Sequence, residues 1–146
     1  MPGQPRAIAN ALIGLAIALL VVGMVSGTVV RHLVQIVPIL LLLTTLRRRP
    51  AAAAAAALPL FAFWFAIAVL IWMFLLGVSR IANGHYTPIE IAMTIVIAAC
   101  SLFGAVVSMK QGQVLPISAR IGWFVVFVVL QVAAMWASMN RAIVSR

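Results

Sequence analysis

Acidic residues are almost missing from this chain: among 146 residues one Asp or Glu stands against ten Lys and Arg. That single acid is Glu90. Catalysis by a carboxylate pair is thereby excluded; a serine triad would have to draw on Glu90 beside His85 and Ser79, a grouping that no motif frames. Cysteine is as scarce. Cys100 is alone inside an apolar run, so an intramolecular disulfide is impossible, and no Cys/His spacing resembles a zinc site. Tyrosine occurs once, as Tyr86, and histidine twice, as His32 and His85. Charged residues make up only 8% of the chain, where a soluble domain carries about 25%. These absences leave no obvious enzyme and predict no bound cofactor.

What fills the chain instead is hydrocarbon, with 66% of the residues hydrophobic. Such a composition cannot dress a surface for water. Its solvent is lipid, where the backbone satisfies its own hydrogen bonds only as helices or closed barrels. The apolar runs are continuous and do not alternate, which selects helices. The expectation is one all-α domain, residues 1–146: a polytopic transmembrane helical bundle of about five spans. The basic residues sit at the ends of apolar runs, where they mark membrane boundaries and meet anionic head groups. No basic face is available to nucleic acid.

The first span is read as residues 7–26, retained and not a cleaved leader, because its apolar run exceeds that of a signal peptide. Ala7, Ala11, Gly14 and Ala18 share one of its faces, and Gly23 and Gly27 follow four apart, a spacing that lets helix backbones approach closely. The second span, 29–46, is short, with Arg31 and His32 at head-group level and Pro38 expected to kink it. A re-entrant or interfacial segment, leaving four true spans, is the alternative. Arg47, Arg48 and Arg49 end it. The alanines at 51–57 are expected as lead-in turns near the head groups, with the third span at 58–78 and Trp64 and Phe65 near an interface. The fourth span, 88–109, carries Ser101, Gly104 and Ser108 as a small-residue stripe. The fifth, 121–139, has Trp123 and Trp136 near its ends, as an aromatic belt requires.

The charge bias sets orientation. Arg6, Arg47, Arg48, Arg49, Lys110 and Arg120 fall on one side, and Arg31, Arg80, Arg141 and Arg146 on the other. The positive-inside rule then places the N-terminus in the cytoplasm and the C-terminus outside. Abundant Ala and Arg with scarce Lys fits the inner membrane of a bacterium.

Polar chemistry concentrates in residues 79–90, SRIANGHYTPIE. Thr87, Pro88 and Glu90 fit a helix capping box, with Thr87 at the N-cap, Pro88 at N1 and Glu90 at N3. That reading competes with a functional intramembrane acid. Asn83-Gly84 reads as a turn. The five-span topology carries Arg31, His32 and Gln35 toward Asn83, His85, Tyr86 and Glu90, a grouping suited to a quinone head group, a metal or a partner surface. The competing reading is ordinary anchoring of amphipathic side chains at the lipid boundary. Gln35, Gln131 and Thr44-Thr45 are candidates for interhelical hydrogen bonds. Three functions remain open: a non-catalytic accessory or scaffold component packing against a membrane partner or its own copy, an oligomeric small-solute transporter or channel, and a redox subunit using His32 and His85.

Overall fold

A computed structural model describes residues 4–81, 84–112 and 114–140. These form five helices and no strand: α1 (Gln4–Val25), α2 (Val29–Arg48), α3 (Pro50–Leu75), α4 (Pro88–Gly112) and α5 (Ile117–Met139). Each is long and apolar enough to cross a membrane. Most large side chains that face outward are aliphatic or aromatic, as lipid contact demands.

The helix ends follow from local chemistry. α1 stops at Gly27, whose φ of +68° suits glycine. The Thr28 amide donates to the Gly23 carbonyl (2.8 Å) and the Gly27 amide to that of Met24 (3.4 Å), the paired bonds of a Schellman cap. α3 ends the same way at Gly77, with φ +72° and the Val78 amide on the Met73 carbonyl at 2.8 Å. Between α2 and α3 only Arg49 lies outside a helix, and Pro50 opens α3 at the position where its missing N–H costs nothing.

Several boundaries differ from the sequence expectation. α2 is one continuous helix through Pro38, not a re-entrant hairpin. At about 1.5 Å per residue its 20 residues run about 30 Å, enough for a bilayer core. α3 begins at Pro50 and ends at Leu75, so the third helix starts eight residues before the expected span of 58–78 and ends three residues short of it. Ala52–Ala57 are all buried, none more than 5% exposed. Six successive helical residues point in every direction around the axis, so this stretch is surrounded on all sides. Methyl side chains let neighbouring backbones close in. Apolarity alone cannot distinguish such a core segment from a lead-in turn. α4 and α5 also extend past the expected 109 and 121, because Lys110, Gln111, Ser118 and Arg120 continue the helix beyond its most apolar part.

α3 packs against α4, α5 and α2, and α4 also carries α1 along its length. On α4 the buried positions Glu90, Thr94, Ile97, Ser101, Gly104 and Ser108 make one stripe. Phe61 of α3, fully buried, lies against Gly104 so closely that no Cβ fits there. A Cβ on Gly14 of α1 would stand 2.9 Å from Cys100 Sγ.

Replacing Gly104 by Ala tests this lock. Helix propensity alone favours Ala by about 1 kcal/mol, whereas overpacking a closed core costs about 1–3 kcal/mol. Gly104→Ala is therefore expected to destabilise the bundle in a detergent-denaturation titration, and Phe61→Leu in the same chain to restore part of the loss.

Candidate functional site

The first turns of α2 and α4, the last turns of α1, α3 and α5, and residues 84–87 all meet at the end of the bundle opposite the alanines. α4 starts with both bonds of a capping box. The Thr87 amide donates to Glu90 Oε2 at 2.7 Å, and the Glu90 amide donates to Thr87 Oγ1 at 3.3 Å. Glu90 is buried, and no described residue donates to its Oε1. The box thus occupies one carboxylate oxygen and leaves the other available.

His32 is positioned by its own helix start. Its Nδ1 lies 3.1 Å from the Thr28 carbonyl oxygen. Thr28 Oγ1 lies 3.2 Å from the same nitrogen; in the tautomer protonated at Nδ1 the ring donates to the carbonyl and keeps its lone pair on Nε2. Gly23 of α1 makes room for this ring, since a Cβ there would stand 3.0 Å from His32 Cβ. Gly27, paired with Gly23 in the sequence pattern as a packing residue, has nothing within 4 Å of a built Cβ. Its function is the helix cap, because a residue at positive φ has already left the packing face.

Deeper in, Gln35 Nε2 donates to Ser138 Oγ (3.0 Å) and to Met135 Sδ (3.2 Å), tying α2 to α5. Ser138 passes its own proton to the Met135 carbonyl at 2.7 Å. Gln131, one turn before Met135, is fully buried with neither amide atom partnered, and the Trp64 indole N–H is likewise unpartnered.

This end of the bundle holds a partly open cavity of about 420 Å³ to which all five helices contribute. His32, His85, Tyr86, Glu90, Arg31 and Gln35 line it, so the structure gathers the dispersed polar residues around one space. Asn83 of that grouping falls outside the described residues. The mouth is ringed by exposed Ser26 and His85, and the interior by Leu19, Ile67, Ile71 and Ile97. Burial, and secondly the Glu90 carboxylate, push the Tyr86 phenol above its ordinary pKa, so it serves as a neutral O–H donor or acceptor at the rim. Phe74 steadies its ring from 6.0 Å. Among the described residues no three of His, Cys, Asp and Glu come together as a metal set.

Two lining residues escaped the sequence reading. Trp64 is buried at mid-helix and not at an interface, because α3 starts at Pro50 and the whole register shifts inward. Thr94 lies one turn beyond Glu90 on the buried stripe of α4, a spacing visible in the sequence once Ser101 and Gly104 are extended backward by sevens. Arg47, Arg48 and Arg49 are exposed at the opposite end, far along α2 from the cavity. No family model, curated protein or solved structure matches this chain.

The capping geometry makes a clear prediction. Thr87→Ala removes one bond of the box and is expected to cost about 1 kcal/mol, read as faster amide hydrogen exchange in the first turn of α4. Glu90→Gln keeps a side chain that serves at N3, and its exchange is expected to stay near wild type.

Proposed function

We propose that this protein is a non-catalytic, multi-pass membrane protein that binds a small amphiphile in the cavity at the His32–Glu90 end of the bundle. One observation carries the reading: five helices share the walls of one space whose rim is polar and whose deeper wall is mainly apolar, Leu19, Ile67, Ile71 and Ile97 beside the buried Gln35 and Thr94. A component that acted only by packing has no use for such a space, since lipid-facing helices gain stability by closing against one another. An amphiphile matches the gradient, head to the rim and tail inward. The space is of the size usual for small-molecule sites.

The bilayer is the protein's medium, and a bacterial inner membrane its proposed location. Arg6, Arg47, Arg48, Arg49, Lys110 and Arg120 lie at the closed end. The positive-inside rule therefore directs that end to the cytoplasm and the cavity mouth outward. A second reading, carriage of a small solute, draws support from buried unpartnered groups beyond the cavity, namely Gln131, Ser101 and Ser108. Unpaired polar atoms in lipid cost several kcal/mol each unless something polar meets them.

Extraction in a polymer that retains lipid, followed by mass spectrometry of the intact protein, tests the binding reading. One bound small molecule per chain is expected. Ala68, buried on the cavity wall, offers the control: Ala68→Phe fills the space and is expected to abolish retention. A wild-type chain carrying nothing above the bulk lipid would remove the proposal. Orientation is checked separately in a Cys100→Ala background, where His85→Cys is expected to react with an impermeant thiol reagent from outside and Arg48→Cys only after lysis.

A further inference from the structure

The cavity is lined by Arg31 and by the chain's sole carboxylate, and the two are not paired with each other. Arg31 Nε is buried with no hydrogen-bond partner. Glu90 takes the Thr87 amide on Oε2 and nothing from the described residues on Oε1. Both line the same space, and no ion pair joins them. The protein therefore holds a guanidinium and a carboxylate around one cavity, each with capacity left over.

That arrangement discriminates between ligand classes. An anion meets Arg31 favourably but also faces Glu90. A cation meets Glu90 and faces Arg31. Juxtaposed like charges cost several kcal/mol. An uncharged ligand leaves both groups desolvated and unanswered. A molecule with an amine and an acid group a few bonds apart answers both at once.

We infer that the cavity selects a zwitterion, its primary amine at Glu90 and its phosphate or carboxylate at Arg31, with an apolar portion against Ile67, Ile71 and Ile97. Tyr86 at the rim adds a hydroxyl for the acid group. The inference rests on the ligand-binding reading above and names its ligand class. Two sources carry this chemistry: the head group of an aminophospholipid and a free amino acid with an apolar side chain.

The test uses the full chain in nanodiscs of equal phosphatidylethanolamine and phosphatidylglycerol, with retained lipid counted by native mass spectrometry. A parallel arm titrates leucine into protein held in phosphatidylcholine alone. Wild type is expected to retain phosphatidylethanolamine over phosphatidylglycerol by about tenfold, or to bind leucine in the second arm, a preference of the size charge complementarity gives. The first result assigns a lipid head group and the second a free amino acid. Glu90→Gln, which preserves the capping box, is expected to erase the preference for the amine and shift retention toward phosphatidylglycerol. Arg31→Gln is expected to weaken both zwitterions. Equal retention of the two lipids by wild type with no response to leucine would overturn the inference while leaving ligand binding intact, as would an unchanged order in Glu90→Gln. Absence of any bound lipid or leucine would remove the binding reading itself.

Discussion

The bundle depends on how closely α3 can be approached at its N-terminal half. Ala52–Ala57 are surrounded on every side, and Phe61 is pressed onto a glycine of α4. Lipid supplies no hydrophobic force to drive helices together, so contact has to come from surfaces that fit. Methyl groups and a bare Cα provide that fit. Beyond Trp64 most side chains of α3, Ala68 apart, are only partly buried. The larger cavity of the bundle lies at that end, against a smaller one of about 280 Å³ beside Ala55 and Leu58.

Much of this architecture was legible beforehand. The five apolar runs, the Thr87–Glu90 box and the meeting of the first turns of α2 and α4 all come from local pattern and parity of spans. Parity alone puts His32 and Glu90 at the same end. The misreadings share a cause. Hydropathy measures how well a residue tolerates hydrocarbon, and alanine tolerates lipid, protein core and interface alike. The sequence window around Ala51–Ala57 therefore says helix without saying where. Gly27 shows the complementary ambiguity, since small size and backbone freedom are two reasons for a glycine and the four-residue spacing to Gly23 suggests only the first. Trp64 followed from the alanines, its depth being set by where the helix begins. The cavity itself was not legible, because a void is a property of how five helices tilt and no single one encodes it.

Scarcity of charge shapes the site as much as its shape does. In a chain with a single acid, a capping box could have consumed it entirely. The geometry of the box uses one oxygen and leaves the other facing the cavity side of the residue. Nearby, Arg31 lies close to the boundary but keeps part of its guanidinium inside the protein. A structural explanation for Glu90 and a binding explanation are thus compatible, because the box engages only one oxygen of the carboxylate.

The connections between helices also differ in how tightly they couple their neighbours. At the alanine end, α2 passes into α3 through Arg49 alone, so neither helix can slide along its axis without dragging the other. At the opposite end, α3 and α4 are joined by the longer connection of residues 76–87. A one-residue connection ties the register of α2 to that of α3 more tightly than residues 76–87 tie α3 to α4.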